Sequence, residues 1–435
     1  MQSDYPRRGY AWTVVAILIG TAVLSYTDRQ VLSLLVDPVK ADLRISDMQV
    51  SYLLGTAFAV VYGVAGLPLG YLADRRSRRN LIFGGVLVWS IGTVGCGLAQ
   101  SFWQLFGGRL VVGLGEAVLS PAAISLISDY FPPSRRGAAV GSFLSGIAFG
   151  IGASILIGGG VLHVVHAGVL QGTPLATLSP WRLVLLIIGA PGFLWSLAIL
   201  GIREPVRRTS EEPTASGSNA GTLSGGAPPD WRAVVSRRVV PIYLVVAIAS
   251  LVDNAVGGWA PSLLMRSFHM DSAQVGVRLG LLLTATFGGG VLLGGWLADR
   301  AGTGGGGSRK LWICLAAGAL ILPVAAGMNA GQVTVVLLSV PAYFALSGIV
   351  TACGFSAILD VVPNRSRGLA MAISFFLNVS VGGAIGPPAV TLMSDHVFGT
   401  GAGLGPALSA VVAIAYGLAI ASAVAGVSAA RPRGY

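Results

Sequence analysis

Apolar stretches of helical length, separated by short polar and basic connections, set the pattern of this 435-residue chain. Hydropathy marks twelve of them: 10–36, 48–73, 81–100, 102–128, 138–162, 181–202, 239–263, 275–298, 311–329, 333–359, 369–394 and 403–429. Each is close to the roughly 20 residues that an α-helix needs to cross the hydrocarbon of a bilayer. The pattern therefore predicts an all-α membrane protein of twelve transmembrane helices. One connection differs in kind. Within 203–238 lies TSEEPTASGSNAGTLSGGAPPD, rich in Ser, Gly, Pro and Thr and without an apolar period, which reads as a flexible linker. It divides the chain into an N-terminal half, 1–202, and a C-terminal half, 239–435, of six spans each.

Composition agrees with this picture. Hydrophobic residues make up 54% of the chain and charged residues 10%, and the mean hydropathy is +0.77. A soluble domain carries about 25% charged residues, so a water-facing surface for so long a chain is excluded. The 62 glycines are concentrated in the apolar segments, which suits closely packed transmembrane helices. Cys96, Cys314 and Cys353 all fall inside apolar stretches and read as packing residues, with no disulfide framework, metal or cofactor implied. Residues Met1 to Arg8 lead directly into the first apolar stretch without a small-residue cleavage signal, so that stretch reads as a span.

The net charge of +11 is informative once it is placed along the chain. Of the 28 Lys and Arg residues, 21 fall in connections on the side of both termini and the linker, five fall on the other side, and Arg29 and Arg109 lie within spans. The positive-inside rule makes the basic side cytoplasmic. The charge then reports orientation and not a nucleic-acid partner. A cell membrane is the expected location.

Two connections occur twice. Gly70-Tyr-Leu-Ala-Asp74-Arg75 returns as Gly295-Trp-Leu-Ala-Asp299-Arg300, and Asp129 to Gly137 (DYFPPSRRG) returns as Asp360 to Gly368 (DVVPNRSRG), so the two halves are related. The stretch GYLADRRSRR, residues 70–79, resembles the signature loop of the major facilitator superfamily, with Ser77 where that family usually has Gly. The resemblance implies two pseudo-symmetric six-helix halves around a central cavity, working by alternating access. Gly70, Asp74, Arg75, Arg78, Arg79, Asp129, Arg136, Asp299, Arg300, Asp360 and Arg367 are then candidates for a cytoplasmic latch between moving parts. Asp at a helix end can pair with Arg and with a neighbouring helix N-terminus.

Inside the spans the resemblance narrows. SYTDRQVLSLLVDPVKADL, residues 25–43, and GRLVVGLGEAVLSPAAISLISDYFP, residues 108–132, resemble the Spinster-like branch, which is marked by Asp-Arg in span 1 and Arg with Glu in span 4. That branch includes exporters of lysophospholipids and sphingosine phosphate, which implies an amphipathic, lipid-like anion as substrate. A porter of small organic or sugar acids is the alternative, because the same Arg would serve it. A lipid-modifying membrane enzyme would need a catalytic set such as paired His and Asp at membrane depth, and no histidine stands beside an intramembrane carboxylate in the sequence.

An ionisable group inside a bilayer is costly and needs a partner or a task. Asp28, Arg29, Arg109, Glu116 and Asp253 are the candidates. Depth along the helices places Asp28 and Arg109 at one level, and the seven-residue spacing puts Arg109 and Glu116 on one face of span 4. The expectation is that Asp28 and Glu116 couple protons while Arg109, with Arg29, holds the anionic head group or switches between the acids. Arg suits that task because it is permanently charged and bidentate.

Asp253, Asn254 and Asn378 are polar cavity candidates, and Tyr26, Tyr52, Tyr62, Trp259, Phe344, Phe375 and Phe376 are candidate cavity aromatics. The Gly run at 158–160 and that at 302–307 lack the context of a phosphate loop and read as flexible turns, and His163 and His166 are placed in an outer connection without a third metal ligand. The expected partners are the bilayer, protons and one small anion, with the chain acting as a monomer.

Overall fold

A computed structural model describes residues 5–73, 75–168, 173, 177–205, 231–302, 307–363, 366–399 and 403–430. Twelve helices among them are long and apolar enough to cross a membrane: Arg8–Leu34, Asp47–Gly66, Arg78–Leu98, Phe102–Tyr130, Arg135–His166, Pro180–Leu200, Val240–Phe268, Ser272–Ala301, Ser308–Gly327, Val333–Val361, Leu369–Phe398 and Leu404–Ser428. They are spans 1 to 12. Spans 1–6 form one half and spans 7–12 the other, in the all-α arrangement expected. Asp74 and most of the linker, 206–230, lie outside the described residues.

Local sequence explains where the helices begin and break. Ser46 opens span 2 with a capping box: its hydroxyl accepts from the Gln49 N–H at 3.2 Å, and the Gln49 side chain accepts from the Ser46 N–H at 2.9 Å. Span 4 is interrupted. Its first helix ends at Glu116 and its second starts at Leu119. Pro121 has no N–H for the Ala117 carbonyl and its ring crowds that carbonyl, so the break falls beside the one carboxylate the span carries at that depth.

The two halves meet on the side away from the linker. Spans 5 and 8 approach until a Cβ on Gly276 would stand 2.4 Å from the Gly159 Cα, and one on Gly280 would stand 2.6 Å from the Leu156 nitrogen. Small residues permit this backbone contact and larger ones would prevent it. The run at 158–160, expected to be a flexible turn, is therefore corrected to helix: apolar flanks keep it in span 5, whose helix continues through His163 and His166. On the same side Thr56 donates to the Ala384 carbonyl at 3.0 Å, and Arg266 of span 7 pairs with Asp37 at 2.6 Å and Asp47 at 2.8 Å.

Candidate functional site

Arg29 sits in the last turn of the first helix of span 1, just before the chain tightens into a 3₁₀ turn at Val31–Leu34. Its Nη2 is 2.8 Å from Oε2 of Glu116, across from span 1 to the interruption of span 4. Three rings surround the guanidinium, with centres at 3.9 Å for Phe58, 4.8 Å for Tyr26 and 5.6 Å for Tyr62. Phe58 reaches this position because span 4 has Gly113 opposite it: a Cβ there would stand 2.8 Å from the Phe58 carbonyl oxygen. The pair is asymmetric in access, with the Arg29 side chain 18% exposed and that of Glu116 1%. Nε of Arg29 and Oε1 of Glu116 are buried without hydrogen-bond partners, a condition native structures rarely leave without a reason.

Arg109 and Glu116 share a face of span 4 as the spacing indicates, yet they do not pair. The Arg109 guanidinium donates instead to the main-chain carbonyls of Leu53 at 3.1 Å, Asp28 at 3.4 Å and Arg29 at 3.5 Å. It thereby ties span 4 to the irregular ends of spans 1 and 2, where carbonyls lack regular helical partners. Asp28 and Arg109 do meet at one depth, but through the Asp28 main chain. The Asp28 side chain faces a separate void of about 10 Å³ lined with Thr93, Cys96 and Arg109, and its Oδ1 has no hydrogen-bond partner.

In the C-terminal half, Oδ1 of Asp253 accepts from the Tyr343 hydroxyl at 2.7 Å and from the Ser347 hydroxyl at 2.6 Å. Asn254 donates to the Ser250 carbonyl at 2.8 Å, and Ser250 donates to the Asn378 carbonyl at 2.6 Å. That carbonyl is available because span 11 widens into a π-helical turn at Leu377–Val381. The polar residues singled out in this half thus form two small networks joining span 7 to spans 10 and 11. Among the candidate aromatics, Trp259 is fully buried and donates to the Pro387 carbonyl at 3.0 Å, whereas Phe375 and Phe376 are exposed.

At the linker side the repeated connections become repeated contacts. Arg78, buried, pairs with Asp129 and donates to the Ser125 hydroxyl at 3.2 Å. Lys310 pairs with Asp360 at 2.6 Å and donates to the Ser356 hydroxyl at 2.9 Å. Arg75 lies 4.2 Å over Tyr71, and Arg300 lies 3.8 Å over Trp296. The two ion pairs join neighbouring spans within one half, spans 3 and 4 and spans 9 and 10, while Asp74 lies outside the described residues. Arg367 donates to the Val362 carbonyl at 3.4 Å, while Arg136 has a buried Nε without a hydrogen-bond partner.

Glu204, just beyond span 6, was not among the expected residues. Its carboxylate accepts from the N–H groups of Arg78 and Arg79 at 3.2 and 2.9 Å, from the Arg78 side chain at 2.8 Å and from the Ser77 hydroxyl at 2.9 Å. Burial alone would raise its proton affinity. The backbone bond from Arg79, with those from Arg78 and Ser77, outweighs burial and holds the carboxyl below its ordinary value. Ser77, in the place where the superfamily usually has Gly, is the N-cap of span 3.

A family model described as Major Facilitator Superfamily matches residues 18–387. An MFS-type efflux pump of Mycolicibacterium smegmatis is 31% identical over 407 residues, covering 90% of this chain and 86% of that one. The D-galactonate transporter of Escherichia coli is 27% identical over 432 residues, covering 94% and 93%. Protein spinster homolog 1 of Mus musculus is 27% identical over 267 residues, covering 60% of this chain and 47% of that protein. Crystal structures of a bacterial homologue of the human lysosomal transporter Spinster, inward-facing and either unoccupied or occupied, superpose with TM-scores of 0.77 and 0.75 at 25% and 26% identity. Each superposition covers 98% of this chain and 96% of that chain.

Proposed function

The chain belongs to the major facilitator superfamily, and from that premise we propose that it carries an amphipathic, lipid-like anion together with protons across a bacterial inner membrane. The linker and both termini are cytoplasmic, and the halves, in contact on the far side, are in an inward-facing state. The observation that carries this reading is Arg29, a partly accessible guanidinium inside the membrane, ringed by Phe58, Tyr26 and Tyr62 and held by Glu116. An anionic head takes the guanidinium and an apolar tail takes the rings.

Coupling follows from competition. Glu116 as carboxylate and the substrate anion both seek Arg29. A proton on Glu116 frees the guanidinium, the anion replaces the carboxylate, and the bound anion in turn favours the protonated acid, as linkage requires. Proton and anion therefore move in the same direction. Asp28 is the second acid, close enough to Arg109 and to the turn after Arg29 to sense that exchange.

A second reading, a porter of small sugar acids, is supported by the similarity to the D-galactonate transporter over almost the whole of both chains. Proteoliposomes holding the purified protein separate the two. With a proton gradient imposed, a lysophospholipid is expected to compete for flux at far lower concentration than D-galactonate. The reverse order overturns the lipid reading and establishes the sugar-acid one.

A further inference from the structure

Asp253 is the intramembrane acid that the exchange at Arg29 leaves unused. Its Oδ1 accepts two hydroxyl donors, Tyr343 at 2.7 Å and Ser347 at 2.6 Å, while Oδ2 takes no hydrogen bond and, among the described residues, no cationic side chain pairs with it. Neutral donors stabilise a carboxylate without removing its charge, and an uncompensated charge at membrane depth is unfavourable. A third hydroxyl belongs to the same place. Tyr416 of span 12 is 1% exposed, its ring centre is 6.1 Å from that of Tyr343, its hydroxyl lies beside Ser347 and Tyr343, and that hydroxyl has no hydrogen-bond partner. A carboxylate and three hydroxyls thus converge from spans 7, 10 and 12 with one negative charge and one unused donor or acceptor.

The cluster lies close to the contact between the halves. Asp253 and Gly257 are four residues apart and share a face of span 7. A Cβ on Gly257 would stand 3.3 Å from the side-chain nitrogen of Gln30, the residue after Arg29. Asp253 is one turn nearer the linker on that helix, so the cluster lies one helical turn from a contact between the halves.

We propose that Asp253, Tyr343, Ser347 and Tyr416 form a binding site for a compact monocation, either an alkylammonium group or a sodium ion. All the donors are oxygen atoms, which suit a hard cation, and a single carboxylate balances one positive charge where a calcium site gathers several. The ring of Tyr343 adds an aromatic face for an ammonium group. The site does not depend on the anion assigned to Arg29.

The test uses the full-length protein in nanodiscs without any anionic substrate. Its melting temperature is titrated with sodium chloride against N-methyl-D-glucamine chloride at equal ionic strength, and separately with octylammonium chloride. At least one titration is expected to give a saturable rise, with an apparent dissociation constant weakened by about tenfold or more, or 1.4 kcal/mol, in Asp253→Asn. A response to sodium alone identifies a metal ion, and one to octylammonium alone identifies the amine of a ligand. Tyr416→Phe, which deletes one hydroxyl and keeps the ring, guards against a folding defect in the first variant and should weaken the same response several-fold. No saturable rise with either salt, or a response unchanged in both variants as a protonated and neutral Asp253 would give, overturns the proposal.

Discussion

Arg29 of span 1 and Glu116 of span 4 form an ion pair of 2.8 Å, with the guanidinium 3.9 Å from the centre of the Phe58 ring. Span 1 and span 4 are thus joined at the point where both helices lose regularity. Glu116→Gln keeps the shape and one hydrogen bond to Arg29 while removing both the charge and the titration. Proton-driven accumulation of substrate should fall by about tenfold or more, equivalent to 1.4 kcal/mol or above, while exchange of substrate for substrate continues. Proteoliposome uptake with and without a pH gradient reads both, and full gradient-driven uptake by the variant would sink the coupling role.

The rings around Arg29 give a second expectation. Phe58→Leu retains an apolar side chain of useful volume but removes the π-face, and a desolvated cation–π contact is worth about 2 kcal/mol. Substrate affinity should weaken by roughly 5- to 30-fold, a loss of about 1–2 kcal/mol, and the melting temperature should fall as well, because Phe58 is buried against Arg29 in the unliganded protein. Arg29→Lys should weaken binding as well, since an ammonium lacks the flat, bidentate surface. Equilibrium binding to both variants checks this, and wild-type affinity in Phe58→Leu would remove the ring from the site.

Arg78 gives a prediction about stability and not transport. Its guanidinium is 1% exposed and joins Asp129, Ser125 and Glu204. Arg78→Ala removes a buried guanidinium that Asp129 and Glu204 share, a change that destabilises by about 3–5 kcal/mol. Thermal unfolding of Arg78→Ala, Asp129→Asn and the double variant should show strong non-additivity. Additive effects would mean that the pair contributes little.

Glu204 sets the pH dependence of the same network. Its carboxyl is held below the ordinary value by the bonds from Arg79, Arg78 and Ser77 despite the opposing effect of burial. A depressed folded-state value makes the stabilisation complete above the unfolded value, about 4.3, and removes it as pH falls through the folded one. The melting-temperature difference between wild type and Glu204→Gln should be largest near neutrality and shrink below about pH 4. A difference that stays constant across that range would contradict the assignment.

Much of this was legible in the sequence, and the reasons for the remainder are specific. Spans show because twenty apolar residues have few other uses, whereas the break beside Glu116 does not, since Pro191, Pro261 and Pro341 sit inside unbroken helices and Pro121 does not. The partner of Glu116 is not announced: Arg29 and Arg109 lie at compatible depths, and which of them pairs depends on the rotation of span 1, which hydropathy does not encode. Phe58 escaped notice because one more Phe in an apolar span is unremarkable until Gly113 is seen to admit it. Glu204 lies beside a basic stretch whose charge already had a topological explanation. The glycines at 158–160 read as a turn in isolation, and only the facing glycines of span 8 reveal them as a contact surface.

That surface carries the last prediction. Alternating access requires the seam between spans 5 and 8 to open, and in this conformation it is closed so tightly that a Cβ on Gly276 would stand 2.4 Å from the Gly159 Cα. Gly276→Val cannot be accommodated by a rotamer change, because the obstacle is main chain. The variant should fold, since Gly276 faces the other half across a seam that is not part of either half's own interior, but it should disfavour the closed seam and populate the state open on the side away from the linker. Spin labels placed near the ends of spans 5 and 8 on that side should then report a longer distance than in the wild type, with transport abolished because the cycle cannot return. An unchanged distance distribution together with normal flux would show that the two spans separate by some other route.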